Sequence, residues 1–465
     1  MIFSSLFFIF IFLPLVLAAY YLVPRKFKNL CLVLFSLVFY AWGEPIYVLL
    51  MIFTILVDYA CGLCVARFID RRGKAKLFIT INIVINLALL GFFKYAGMLV
   101  GTFDAVTGLG LSIPEVALPI GISFYTFESM SYAIDVYRRE APAMRNIIDF
   151  AAYLSFFPHL VAGPIVRYEA LQAQVLNRRE TLEKFTEGTK RFLTGLFKKV
   201  LIADNLAILA ERVQYLGTPS TLTAWMGILA FTFQIYFDFS GYSDMAIGLG
   251  KMFGFELPEN FDHPYVSQSV SEFWRRWHMT LGGWFREYVY IPLGGNRKGR
   301  LCTVRNLAIV WVLTGMWHGA SWNFAFWGAY YAVLIILEKL FLQKKVLDKI
   351  PAFFRWLYSF LAAAIGWLFF SYTDIGQAFS VLASMFGFAP EGATSLGLYA
   401  LLTYGLLMLI AALCSGPLAR NLFEKLRNAG TAGKVAWALG VAGLFIITLS
   451  FLVNSSYSPF LYAKF

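Results

Sequence analysis

The sequence has 465 residues, of which 59% are hydrophobic and only 14% are charged, and its formal net charge is +12. Because a soluble domain is about one quarter charged, this composition excludes an ordinary soluble protein and predicts an all-α integral membrane protein. Lys and Arg collect in short loops between apolar runs, so the positive charge fits the positive-inside rule, and no soluble basic domain exists to bind nucleic acid.

Apolar runs long enough to cross a bilayer recur along the whole chain. They predict about 11 transmembrane helices, with additional re-entrant or interfacial helices, in one membrane-embedded domain over residues 1–465. The runs lie at 3–23, 29–43, 46–66, 77–96, 118–137, 147–166, 192–211, 223–250, 304–320, 322–342, 354–371, 396–416 and 434–453. Positive charges follow the first run and do not precede it, which predicts an uncleaved span with its N-terminus outside. The loop charges leave the topology of residues 138–305 open.

Five cysteines are present, and four of them sit in apolar runs. Cys61 and Cys64 form a C-x-x-C pair on a predicted membrane helix, but no second pair accompanies them. We therefore expect these cysteines to pack as small core residues, and we predict no metal site. Sequence motifs of P-loop, serine-elbow and zinc enzymes do not occur.

His159 is the first of four histidines in the chain. It lies between Pro158 and Pro164 in an apolar run, which predicts a broken, re-entrant element in which the imidazole lines a cavity or serves the structure. Farther along, Asp238 and Ser240 belong to a polar patch inside a long apolar segment. Such a patch is either a hydrogen-bond network or a contact for substrate or proton.

His278 lies in an aromatic and basic stretch, whereas His263 precedes a proline in a predicted loop. Helical spacing from residue 271 to 288 predicts one continuous amphipathic helix at the cytoplasmic interface, with His278 facing the protein or lipid. Arg275 and Arg276 on the polar face fit either a clamp for an anionic phosphate or a positive-inside anchor.

His318 lies in a stretch without one formally charged side chain, from Asn306 to Leu337. Gly315 and Gly319 flank it, and they allow close backbone approach and a helix break between two short apolar arms. A neutral imidazole there is either a general base for a hydroxyl or a buried histidine bonded to a backbone carbonyl, and the residues alone favour neither.

Several segments resemble the membrane-bound O-acyltransferase family, in its bacterial branch for alginate O-acetylation and D-alanyl transfer. The motif core spans about 115–323, and five segments in order carry the resemblance, with a sixth at the end of the chain. They are LPIGISFYTF (118–127), PHLVAGPI (158–165), DFSGYSD (238–244), residues 271–290 followed by PLGGN (292–296), GMWHG (315–319) and PFLYAKF (459–465).

The resemblance implies a bundle of membrane helices around a central tunnel, in which His318 is the catalytic histidine and His278 the second histidine. It further implies a bacterial inner-membrane enzyme that uses acetyl-CoA, or another acyl thioester, as donor substrate, without a bound cofactor. Asn323 is expected to orient His318 or to bind the oxyanion. A periplasmic SGNH-type partner is expected to complete transfer to a polysaccharide such as alginate.

Alternative functions remain open at this point. The same fold serves D-alanyl transfer and peptidoglycan O-acyl transfer in the family. A non-enzymatic transporter is a further alternative, although the paired repeats typical of transporters do not occur. A structural subunit of a secretion complex is another.

Overall fold

Helices account for all regular secondary structure in the computed structural model, which describes residues 1–114, 116–388, 394–454 and 460–461. Within these ranges no β-strand occurs. The first eleven α-helices are α1 Leu13–Leu22, α2 Lys28–Gly43, α3 Val48–Arg67, α4 Arg72–Leu90, α5 Ala96–Thr107, α6 Ile122–Arg138, α7 Ile147–Leu154, α8 Phe157–Leu160, α9 Tyr168–Asn177, α10 Leu182–Phe197 and α11 Asp204–Gln214. The others are α12 Thr221–Met252, α13 Val270–Arg276, α14 Met279–Phe285, α15 Gly299–His318, α16 Trp322–Leu337, α17 Gln343–Lys345, α18 Ala352–Ser371, α19 Ile375–Met385, α20 Thr394–Ser415, α21 Pro417–Arg427 and α22 Gly430–Asn454.

Eight helices in the described part of the chain are long and apolar enough to cross a membrane. They are Arg25–Gly43, Val48–Arg67, Arg72–Thr107, Thr221–Met252, Trp322–Lys349, Ala352–Ser371, Leu396–Ser415 and Gly430–Asn454. The expected all-α multi-span architecture is therefore confirmed, and the protein is a multi-pass membrane protein.

Among the described residues, five of the thirteen predicted runs match no helix that is both long and apolar enough to cross a membrane. They lie at 3–23, 118–137, 147–166, 192–211 and 304–320. The run at 192–211 lies in a helical stretch that passes from α10 through a π-helical segment, Lys198–Ala203, into α11. The run at 147–166 is broken, as its prolines predict: α7 ends at Leu154, and the short α8 contains Pro158. The described part of the chain therefore holds eight candidate spans, against the roughly 11 that the sequence predicts.

The first compact unit consists of residues 1–194 and 242–259. In it α3, α4 and α6 share a buried polar contact around Asp58. The carboxylate accepts hydrogen bonds from Asn82 Nδ2 at 2.6 Å, from Asn86 Nδ2 at 2.8 Å and from the Ser129 hydroxyl. A carboxylate inside a membrane domain is costly unless it has partners, and here the partners come from two other helices. The hydrogen bonds to Asp58 therefore hold α3, α4 and α6 together.

The second compact unit consists of residues 195–241 and 260–461. Helices α15 and α16 form an antiparallel hairpin, and α13 and α18 pack against α16. At the end of α16 the buried Glu338 carboxylate accepts the N–H groups of Val270 at 2.7 Å and Ser271 at 2.8 Å. A carboxylate at these unpaired N–H groups fixes the start of α13. The expectations of one domain and of a central tunnel stay predictions.

Candidate active site

The α15–α16 hairpin determines where His318 lies. Gly315 and Gly328 face each other across it: a methyl group at Gly315 would overlap the Phe324 carbonyl and lie 3.0 Å from Gly328 Cα. The predicted helix break lies at Gly319, because α15 continues through Gly315 and ends at His318. Gly315 allows close approach of two helices, and only Gly319, which is extended, belongs to the turn.

His318 is buried, with 3% of its surface exposed, inside a cluster of aromatic rings. Its ring centroid lies 5.0 Å from that of Trp327 on α16 and 5.5 Å from that of Phe370 on α18, both edge-to-face. The adjacent Trp317 ring is 5.1 Å away. The three rings therefore enclose the imidazole on several sides.

Asn323 is the second residue of α16, the helix after His318, and its side chain bonds to the backbone of another segment. Its amide Nδ2 donates to the carbonyl oxygen of Tyr372, which follows α18. The structure therefore places Asn323 near the turn after His318, where its amide group links the start of α16 to the end of α18. The predicted contact with an oxyanion stays a prediction.

His278 does not lie within a continuous helix, so the prediction of one amphipathic helix over 271–288 is wrong. Helix α13 ends at Arg276, and α14 begins at Met279. Between them His278 adopts φ 44° and ψ 53°, the left-handed region that is strained for a residue with a Cβ. The predicted inward orientation is confirmed, since only 1% of His278 is exposed.

The break is held by contacts to the segment that follows α12. Asp262 N–H donates to Arg276 O at 2.9 Å, and Met279 N–H donates to Asn260 O at 2.9 Å. The Asn260 side-chain oxygen lies 3.0 Å from His278 Nδ1. These contacts oppose the backbone strain and fix the position of the imidazole.

One indole ring connects the two histidines. The Trp317 ring centroid is 5.9 Å from that of His278 and 5.1 Å from that of His318. On another side, the Phe239 ring lies 4.7 Å from His278, edge-to-face. The structure thus brings together His278 and His318, the two residues that the family resemblance singled out.

Burial is the cause of the altered acidity of His278. It lowers the pKa of this imidazole to about 3, because a cation is poorly solvated away from water. His278 is therefore neutral at physiological pH and can accept a proton or a hydrogen bond.

Asp238 belongs to a buried ion-pair network. Its Oδ1 lies 2.6 Å from Lys199 Nζ, which also lies 2.6 Å from Asp204 Oδ1. Its Oδ2 accepts the N–H of Leu461 at 2.8 Å. Together the two acids raise the pKa of Lys199 despite its burial. Both Asp238 oxygens therefore have protein partners, which fits the structural alternative for this patch.

Ser240 is buried two residues after Asp238, on the same helix α12. Phe239, between them in sequence, contacts Phe460 at a ring distance of 5.7 Å as well as His278. The segment 238–240 thus packs against His278 through the Phe239 ring.

The two predicted arginines differ in their surroundings. Arg275 is exposed, whereas the Arg276 guanidinium pairs with Glu272 at 3.0 Å and Asp262 at 3.2 Å. Arg276 therefore already has carboxylate partners, and its contacts favour a structural role over a clamp for phosphate.

His159 belongs to the first unit, where it is fully buried on α8. Its Nδ1 lies 2.9 Å from Glu128 Oε1, and the same oxygen accepts Val166 N–H at 3.0 Å. The imidazole and carboxyl thus join α8 to α6 and to the segment before α9. Among the described residues, no group of three or more His, Cys, Asp or Glu side chains is arranged to hold a metal ion.

Three residues with structural consequences for the site were not predicted: Lys199, Asn260 and Glu338. Lys199 belongs to a basic stretch that reads as a cytoplasmic loop, and Asn260 lies 18 positions before the histidine it contacts. Glu338 was visible as the acid that ends the uncharged run, but its partners on α13 depend on tertiary packing. Only Glu338 therefore left a signal in the sequence.

Comparisons with known proteins agree with this geometry. The profile described as "MBOAT, membrane-bound O-acyltransferase family" matches residues 135–373. The chain is 46% identical to a probable alginate O-acetylase AlgI of Azotobacter vinelandii, covering 83% of this chain and 78% of that protein.

Two further relatives widen the comparison. A probable alginate O-acetylase AlgI of Pseudomonas putida is 42% identical and is covered, like this chain, over 100% of its length. A peptidoglycan O-acetyltransferase of Helicobacter pylori is 35% identical, over 83% of this chain and 80% of that protein. The chain therefore belongs to the membrane-bound O-acyltransferase family and is an O-acyltransferase.

Proposed function

We propose that this protein moves an acetyl group from acetyl-CoA, made in the cytoplasm, toward a hydroxyl group of a polysaccharide outside the cytoplasm. Alginate is the acceptor that the names of the Azotobacter and Pseudomonas relatives favour. The observation that carries the proposal is the pair of buried imidazoles, His278 and His318, both packed against Trp317.

The reaction is an acyl transfer in which His318 handles the proton. The acceptor oxygen attacks the thioester carbonyl carbon, so a C–O bond forms and the C–S bond breaks. His318 takes the hydroxyl proton and returns it to the departing sulfur, so that CoA leaves as a thiol and the imidazole is regenerated. A base placed in this way contributes about 10²- to 10⁴-fold to the rate.

The aromatic surroundings support this chemistry. Trp327 and Phe370 cover His318 and keep water away, which limits hydrolysis of the thioester and strengthens polar contacts inside the site. His278 is neutral because its pKa is lowered, so its imidazole can accept a proton or a hydrogen bond from the reacting groups.

The location of the two substrates requires a membrane protein. Acetyl-CoA is charged and cannot cross the bilayer, whereas the polymer is outside. We place the enzyme in the bacterial inner membrane, with a passage that admits the thioester from one side. A periplasmic SGNH-type partner then receives the acetyl group and completes transfer to the polymer.

The test is acetyl transfer from labelled acetyl-CoA to alginate oligosaccharides, in membranes that contain the partner. We expect His318→Ala to lower the rate by about 10²-fold or more, and His278→Ala to lower it as well. His263→Ala is the matched control, since this histidine lies in the same unit and its Nδ1 faces the Ser415 carbonyl at 3.2 Å. Full activity in a folded His318→Ala protein would refute the mechanism.

The Helicobacter relative favours a second acceptor, peptidoglycan. The two are separated by offering alginate oligosaccharides and peptidoglycan fragments to the same membranes. Labelled D-alanyl carrier protein, supplied in place of acetyl-CoA, tests the other donor. Export of polymer without label transfer would favour a transporter.

A further inference from the structure

We propose that Asn260 is a positioning residue that holds His278 in the tautomer with its proton on Nδ1, so that Nε2 is the proton-accepting nitrogen at the site. This inference rests on the proposed function, because it assigns His278 a part in the transfer. Asn260 itself does not touch substrate in this account and acts only through the imidazole.

The contacts of the Asn260 side-chain oxygen determine the tautomer. Besides facing His278 Nδ1 at 3.0 Å, Oδ1 accepts the backbone N–H of Thr280 at 3.3 Å and the Thr280 hydroxyl at 2.9 Å. A backbone N–H can only donate, so the Asn260 atom that faces it is the oxygen and not the amide nitrogen. A ring nitrogen that faces this oxygen must therefore carry the hydrogen.

Burial and backbone hydrogen bonds hold the Asn260 side chain in this orientation. Asn260 is fully buried, and its own carbonyl accepts the N–H of Met279, the residue after the imidazole. One residue thus holds His278 through both its side chain and its backbone. The left-handed conformation of His278, at φ 44°, persists only where surrounding contacts enforce it.

The neighbouring elements carry two ion pairs and the exposed Arg275 of α13. Asp262 and Arg276, on the two segments that join at His278, pair with each other at 3.2 Å. On α12, which carries Phe239, Asp238 pairs with Lys199.

His318 is a further titratable neighbour, and it contacts the same Trp317 ring. The partner of Nδ1 is thus an uncharged amide, which fixes the tautomer while burial keeps the pKa of His278 low. A carboxylate at position 260 would hold the same proton but favour the imidazolium.

The experiment compares Asn260→Ala with Asn260→Asp by acetyl transfer from labelled acetyl-CoA to alginate oligosaccharides, in membranes that contain the full chain and the partner. We expect Asn260→Ala to lower kcat by about 10- to 100-fold with little change in KM for acetyl-CoA. Asn260→Asp retains an acceptor, so we expect activity to recover at alkaline pH. Its acid limb should move to higher pH by about one unit or more.

The matched control is Asn428→Asp, the same change at an exposed position after α21, which should leave the pH profile unchanged. The inference is overturned if Asn260→Asp gives the wild-type pH profile, or if Asn260→Ala keeps full kcat. Where Asn260→Ala does not fold, the pH profile of Asn260→Asp decides alone.

Failure of this inference can be distinguished from failure of the proposed function. If His318→Ala and His278→Ala lose activity while both Asn260 variants behave as wild type, only the positioning role is wrong. If both histidine variants keep full acetyl transfer, the proposed mechanism fails whatever the Asn260 variants do.

Discussion

Replacement of Gly315 by alanine tests whether close helix packing positions His318. The added methyl would overlap the Phe324 carbonyl and lie 3.0 Å from Gly328 Cα, at least about 0.5 Å short of favourable carbon–carbon contact. Overpacking of this kind costs about 1–3 kcal/mol, whereas alanine in an unobstructed helix gains up to about 1 kcal/mol over glycine. The clash therefore offsets or exceeds the gain in helix propensity.

Gly440→Ala is the matched control, because Gly440 lies on α22 and nothing approaches its added methyl within 4 Å. We expect Gly315→Ala to melt several degrees below this control in detergent. Its acetyl transfer should fall by up to about 100-fold, since a shift of about 1 Å misplaces a catalytic group. Equal melting temperatures and equal activities would refute the reasoning.

Two other predictions concern charge. The unfolded chain protonates an imidazole near about pH 6.5, whereas native His278 resists protonation down to about 3. Between pH 6.5 and 3, each unit of acidification should therefore lower the stability of the wild-type protein by about 1.4 kcal/mol relative to His278→Asn. Melting temperatures of the two proteins that fall in parallel across this range would contradict the prediction. Asp238→Ala should destabilise the protein by about 3–5 kcal/mol, because it breaks the buried pair with Lys199. An Asp238→Ala protein with unchanged thermal stability would show that the ion pair with Lys199 does not stabilise the fold.

Residue chemistry was sufficient to predict the membrane class and to single out His318. An uncharged run with one imidazole is rare enough to stand out without any structure. The two glycines beside it indicated close backbone approach and a helix break, and the structure assigns the close approach to Gly315, which packs against Gly328, and the break to Gly319. Sequence shows that a small residue is present and does not show which neighbour requires it.

The surroundings of His278 could not be predicted, for a different reason. Helical periodicity over 271–288 was genuine, but the break at His278 is imposed by backbone bonds to residues 260–262. These contacts join segments separated by a helix and a turn, so no local pattern reports them. Tertiary hydrogen bonds here override local preference.

The bond between Asp238 and Leu461 makes the segment near the end of the chain part of the enzyme's interior. Phe460 and Leu461 are both buried. The Phe460 ring packs against Phe239, and Phe239 packs against His278. A protein shortened to end before Phe460 would consequently expose the far side of Phe239 to solvent. Removal of Phe460 and Leu461 should therefore be treated as an active-site mutation.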